Sequence, residues 1–162
     1  MTALPDIHSL IPHAGSMCLL DCVAMFDATR IACHASSHRD PANPLRHNNQ
    51  LSVQAGIEYA AQAVAAHGSL LARQQGDTPS PRGGMIAVLT DVRWHVGRLD
   101  TLVADLTVTA EKLADLPQGL NYRFTLSANN SVPADQQTLL EGELHSFPTR
   151  RSSDLSEERR VG

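Results

Sequence analysis

The chain has 162 residues and is 42% hydrophobic, 4% aromatic and 19% charged, with a formal net charge of −4. That length sets one domain with an aliphatic, alanine-rich core, and the acidic balance leaves no electrostatic footprint for nucleic acid. No stretch reaches the ~20 consecutive apolar residues of a membrane span.

The opening Met1-Thr2-Ala3-Leu4-Pro5-Asp6 lacks a basic segment followed by an apolar one, so no signal peptide is expected. The three cysteines, Cys18, Cys22 and Cys33, are an odd number and fit a reducing cytoplasm better than a disulfide framework. The apolar run 17–26 predicts a first strand. Asp27-Ala28-Thr29 predicts a turn, and residues 30–36 a second strand paired back on it. Pro41, Pro44 and the Asn-rich stretch through Gln50 predict an ordered loop. A helix is expected over about 53–72, with Ile57, Ala60, Ala61, Val64, Gly68 and Leu71 at the spacing of one buried face. Its small residues allow close approach by other backbone. The run 76–84, rich in Gly and Pro, breaks the chain before four further strands, expected over 85–95, 102–113, 120–128 and 138–144, with Asn129-Asn130 as a turn signal.

Within the helix, Glu58 is the exceptional residue. A carboxylate among apolar neighbours costs several kcal/mol unless it is paired or protonated. Twenty residues earlier His38 stands in the loop Ser37-His38-Arg39-Asp40-Pro41-Ala42-Asn43-Pro44-Leu45. Together they form a candidate acid–base pair. The bland readings are a helix-front carboxylate favoured by the helix dipole and a loop histidine bonded to backbone. Gln62, one turn after Glu58, either orients it or is a surface glutamine. Cys18, Cys22, Cys33, His34 and His38 include no Cys-x-x-Cys pair, and no metal is expected. Arg93 and Arg98 are candidates to meet a phosphate, with ordinary solvated arginines as the default.

From His145 the character changes. His145-Ser146-Phe147-Pro148-Thr149-Arg150-Arg151-Ser152-Ser153-Asp154-Leu155 resembles an in-frame translation of a common sequencing adapter, and residues 156–162 resemble its opposite strand. The expectation is therefore a body over 1–144 with its native C-terminal strand truncated, followed by a non-native, disordered segment over 145–162.

The motifs carry a family resemblance. Ile11-Pro12-His13-Ala14-Gly15-Ser16-Met17-Cys18-Leu19-Leu20-Asp21, the loop His38 to Pro44, and Ile57-Glu58-Tyr59-Ala60-Ala61-Gln62 resemble segments of the hotdog-fold 3-hydroxyacyl-acyl-carrier-protein dehydratases. The subgroup from aryl-polyene pigment clusters is the most similar. The resemblance implies an α+β hotdog fold, a long central helix wrapped by an antiparallel sheet. It implies loss of water from a 3-hydroxyacyl thioester in fatty acid or polyene biosynthesis. His38 would be the base and Glu58 the proton donor, with Gly56, Gln62 and Pro44 beside the substrate and the helix amides facing the thioester oxygen. No dissociable cofactor is implied, because the substrate rides on the phosphopantetheine of acyl carrier protein. That carrier is an expected partner, as is a second copy or a second dehydratase subunit, since in hotdog dimers the two groups come from opposite subunits. Neither nucleic acid nor membrane is expected. The loop between His38 and Glu58 is longer than in typical members, and it makes His47 a rival base. Two alternatives follow: a catalytically weak partner subunit, and a hotdog thioesterase, which His38 disfavours.

Overall fold

A computed structural model describes residues 4–12, 14–76, 85–117, 119–128 and 137–148. Strands β1 (Cys22–Phe26) and β2 (Arg30–Ala35) precede helix α1 (Gly56–Gln74). Then come β3 (Met85–Trp94), β4 (Leu106–Leu116), β5 (Gly119–Ala128) and β6 (Gln137–Pro148). The strands form a single antiparallel sheet in the order β1-β2-β4-β5-β6-β3, and α1 packs across β2, β4 and β5. This is the α+β hotdog arrangement expected, a long helix held in the curve of one sheet.

Alternation along the strands builds the core. Val108, Leu126 and Leu140 lie in one register row across β4, β5 and β6, and all are fully buried. Burying each such side chain contributes roughly 1.5–3 kcal/mol. The front of α1 comes down on this row at Gly56. A Cβ there would lie 2.7 Å from one Leu126 methyl and 2.8 Å from one of Leu140, so only glycine lets the helix sit this close. The buried face of α1 is rotated from the one expected. It consists of Gly56, Tyr59, Ala60, Gln62, Ala63, Val64, Ala66, His67 and Leu70. Ile57, Ala61 and Leu71 are half-buried and Gly68 is exposed. Periodicity misplaced the face because Gln62 and His67, polar by type, find partners inside.

Two strand starts also moved. The first strand begins at Cys22 rather than Met17, because Gly15–Met17 is a 3-10 turn entered at a left-handed glycine, φ +57°. The fourth begins at Leu106 rather than Leu102, because Leu102 closes a turn onto the Leu99 carbonyl. At the other end β6 continues through Pro148, with Asn121 and Leu120 pairing with His145 and Ser146. The boundary expected at Leu144 therefore falls inside a strand, since ladder pairing on both sides persists past it. Residues 149–162, His13, most of the Gly/Pro run (77–84) and the turn at Asn129-Asn130 lie outside the described residues.

The sheet ends at β3, an edge strand interrupted by a bulge. Asp91 is left-handed (φ +54°) and the register shifts between Thr90 and Arg93. Val92 there packs over Gly142, whose missing side chain makes room for it. Leu89 and Trp94 pair in register with the buried Leu144 and Leu140, placing them on the helix side of the sheet. Both stay exposed, Trp94 at 55%.

Candidate active site

The loop after β2 is tied down residue by residue. Ser37–Arg39 is a 3-10 turn. The Asp40 and Asn43 carboxylate and amide oxygens accept from the Ala42 and Leu45 amides at 2.9 Å, two turns of the kind Asp and Asn make with their own backbone. Arg39 donates to the Val103 carbonyl at 2.7 Å and pairs with Asp105 at 2.7 Å. Arg46 donates to the His38 carbonyl at 3.1 Å.

His38 is fully buried. Its Nε2 lies 3.1 Å from the Leu102 carbonyl oxygen. A carbonyl only accepts, so Nε2 carries the proton and the neutral ring keeps its lone pair on Nδ1. Among the described residues Nδ1 has no hydrogen-bond partner although it is buried. Burial pushes the His38 pKa below the ordinary histidine value. The Leu102 carbonyl partly offsets this, Arg39 reinforces it, and the Ala104 carbonyl and Asp105 act against it. The ring is thus held neutral with a basic nitrogen left over.

Glu58 lies in the first turn of α1, half-buried rather than enclosed. The position suits a carboxylate, because the helix dipole is positive there. The amides leading into α1, from Val53 to Gly56, are occupied. Val53 donates to the Gly97 carbonyl, Gln54 to the Ser52 hydroxyl, Ala55 to the Ser52 carbonyl, and Gly56 to the carbonyls of Val53 and Gln54. Gly56 is thus a packing residue in this chain, with its α-carbon against Leu126 and Leu140.

Gln62 does not face solvent. It is fully buried, its Oε1 accepting from the Leu19 amide at 2.9 Å and its Nε2 donating to the Met17 carbonyl at 2.7 Å. It clamps the opening segment onto α1. Pro44 is exposed in the loop. His47 is also exposed, at one corner of a tight turn in which Asn48 and Asn49 take left-handed conformations and His47 and Gln50 exchange backbone bonds. Of the two histidines, only His38 is enclosed. Arg98 is engaged by Asp100 through two bonds of 3.1 and 2.5 Å, and Asp100 also accepts from the Leu51 amide. Arg98 holds the Asp100 carboxyl well below the usual carboxylate range. Arg93 is exposed beside Glu141.

Sequence reading passed over three side chains that join these parts. Ser37, Asn43 and Tyr59 meet in one buried junction between the loop and α1, with Ser37 Oγ 2.7 Å from the Tyr59 hydroxyl. All three stand inside the motif segments, which was the available signal. The Leu102 carbonyl that sets the histidine tautomer carries no signal at all, since every residue has one. Among the described residues no group of three or more His, Cys, Asp or Glu side chains could hold a metal ion. Cys33 is buried and its thiol is pushed up to about 12 by burial. No described helix is long and apolar enough to cross a membrane.

Fold and loop geometry define a hotdog protein with an enclosed histidine in the loop that follows β2. Residues 5–156 match the model of the ApeP-like family, described as ApeP dehydratase, and the chain belongs to that family. It is accordingly a dehydratase, a hydro-lyase of aryl-polyene biosynthesis. Among solved structures it resembles the dehydratase heterocomplex ApeI:P from Xenorhabdus doucetiae, at 18% identity and TM-score 0.76, over 96% of this chain and 98% of that one. More distant likeness extends to a hypothetical thioesterase with coenzyme A from Streptococcus pneumoniae TIGR4 (8% identity, TM-score 0.51, 80% and 85% covered). A thioesterase family protein from Silicibacter pomeroyi is similar at 11% identity and TM-score 0.50, over 78% and 84%. At these identities the likeness is one of fold. No curated protein matches the chain in sequence.

Proposed function

We propose that the chain dehydrates 3-hydroxyacyl thioesters carried on the phosphopantetheine arm of an acyl carrier protein, with His38 as base and Glu58 as acid. The observation that carries this is the half-satisfied imidazole, a buried neutral histidine whose Nδ1 has no hydrogen-bond partner among the described residues. Nδ1 removes the proton from C2 of the substrate, and that electron pair becomes the C2–C3 double bond. The C3–O bond breaks as Glu58 protonates the departing hydroxyl, giving water and a 2-enoyl thioester. Transfer of the proton from His38 back to Glu58 resets the site. Because the amides from Val53 to Gly56 already have acceptors, they do not serve the thioester oxygen, and α1 acts on enolate charge through its dipole.

The working unit pairs this chain with a second hotdog subunit, either another copy or a homologous dehydratase. The edge strand β3 supports this, with Val88, Leu89 and Trp94 exposed along an open ladder. Its structural relative ApeI:P is a dehydratase heterocomplex, in keeping with the second option.

The test is turnover of a 3-hydroxyacyl thioester by the full chain, alone and mixed with a homologous dehydratase subunit. Enoyl thioester is the expected product, and His38→Ala is expected to slow its formation by about 10²–10⁴-fold. Release of free thiol would instead favour thioester hydrolysis. Absence of turnover in both settings, or an undiminished rate in His38→Ala, would overturn the proposal. Trp94 is the chain's one tryptophan, so a blue shift of its emission on pairing would report burial of the β3 edge.

A further inference from the structure

We infer that Tyr59 is a positioning residue for His38, its hydroxyl pinning the loop that carries the base to the helical turn that carries Glu58. The inference rests on the reading of His38 given above and adds a residue to it.

The direction of each hydrogen bond can be worked out. Ser37 Oγ lies 2.7 Å from the Leu19 carbonyl oxygen, which can only accept, so the single hydroxyl proton of Ser37 goes there. The 2.7 Å contact between Ser37 Oγ and the Tyr59 hydroxyl must then be donated by Tyr59. Asn43 Nδ2 donates to the Tyr59 hydroxyl at 3.1 Å and to the Ser37 carbonyl at 2.9 Å. The amide oxygen of Asn43 accepts from Leu45. The chain of donors runs from Asn43 to Tyr59 to Ser37 to Leu19, with no proton spare.

Three consequences follow. Tyr59 does not serve as the acid of the reaction, because its proton is committed to Ser37 and burial pushes its pKa up. The hydroxyl touches both ends of the loop segment 37–43, so it sets where the 3-10 turn containing His38 starts. Tyr59 is also the immediate neighbour of Glu58. The loop that carries the base is therefore anchored to that turn of α1, while Arg46 and Leu102 hold His38 from its other sides. The ring itself is fully buried. Removing only the oxygen leaves its packing in place and deletes the pin.

The experiment compares Tyr59→Phe with Tyr122→Phe in the full chain, assayed with its dehydratase partner wherever the partner is needed for turnover. Tyr122 is equally buried and its hydroxyl also bonds a histidine, His67, at 2.7 Å. Tyr59→Phe is expected to lower kcat on the order of tenfold to a hundredfold with KM nearly unchanged. Tyr122→Phe is expected to lower Tm and leave kcat alone. Should Tyr59→Phe fail to fold, Ser37→Ala removes the same pin from the loop side and is expected to give the same drop in kcat. An NMR titration of the His38 ring is a second readout: loosening the loop should bring its pKa back toward the ordinary histidine value.

Wild-type kcat and an unmoved His38 titration in Tyr59→Phe, or equal loss of kcat in both tyrosine variants, would overturn the inference. His38→Ala in the same series separates the two levels. If it too turns over normally, the catalytic reading itself fails. If it is inactive while Tyr59→Phe is normal, only the role of Tyr59 fails.

Discussion

Two histidines are fully buried among the described residues, and they are finished differently. His67, in the second half of α1, has both ring nitrogens bonded. Nδ1 is 2.7 Å from the Tyr122 hydroxyl and Nε2 is 2.8 Å from the Asp27 carbonyl oxygen. The carbonyl takes the Nε2 proton and Tyr122 donates to Nδ1, so the neutral ring has nothing left to offer. Its ring also meets Tyr122 edge-on, with centroids 5.6 Å apart. His38 has the same tautomer, set in the same way by a backbone carbonyl, but its Nδ1 is left open. Burial lowers the pKa of both. Burial and a lowered pKa therefore do not separate the two histidines; the nitrogen without a hydrogen-bond partner does. A satisfied buried polar group stabilises the fold, whereas an unsatisfied one costs stability.

That contrast can be broken by exchange. Activity should separate the two most widely, with the loss confined to His38→Ala and the His67→Ala protein keeping its kcat at temperatures well below its transition. Stability should separate them the other way. His67→Ala strands the Tyr122 hydroxyl and the Asp27 carbonyl, and is expected to cost about 2–4 kcal/mol. Thermal or urea unfolding would register this as a larger fall than that of His38→Ala. If the two variants lose stability equally and both lose turnover, the distinction between them is empty.

The pH dependence sharpens the comparison. Both folded-state pKa values lie below the unfolded value of about 6.5, so the unfolded chain binds more protons on the acid side. Stability should therefore be greatest above about pH 7.5 and should decline as pH falls through 6.5, by up to ~1.4 kcal/mol per pH unit for each histidine. The decline ends below the folded-state pKa values. Replacing His67 by phenylalanine should flatten part of that slope without moving the acid limb of kcat/KM. An acid limb that follows His67 rather than His38 would reverse the assignment.

A smaller effect concerns the frame that holds both. Gly56→Ala places a methyl within 2.7–2.8 Å of the Leu126 and Leu140 side chains. It should cost about 1–3 kcal/mol of overpacking, measured by denaturant unfolding. A neutral result would mean that the front of α1 has room to lift from the sheet.

How far the motifs could be read depended on what kind of group did the work. Side-chain types at motif spacing were legible, and the helix that carries Glu58 was found from them. Gln62 and Gly56 were found as well, but their work was not foreseen. One clamps the opening segment and the other admits two leucines, and both roles depend on neighbours distant in sequence. His67 was missed because a lone histidine among alanines carries no pattern until Tyr122 and Asp27 are brought to it.

The sequence by itself determined the order of elements, the small-residue helix, Glu58 in its first turn and His38 in the loop before it, because periodicity and residue type are local properties. The tertiary structure decided which face of α1 is buried and which histidine is enclosed. It also decided which nitrogen of that histidine is free. Those choices rest on a backbone carbonyl at Leu102 and on hydroxyls at Ser37 and Tyr59. A hydrogen bond needs two groups within about 3 Å, and only folding brings residues so far apart in the chain to that distance.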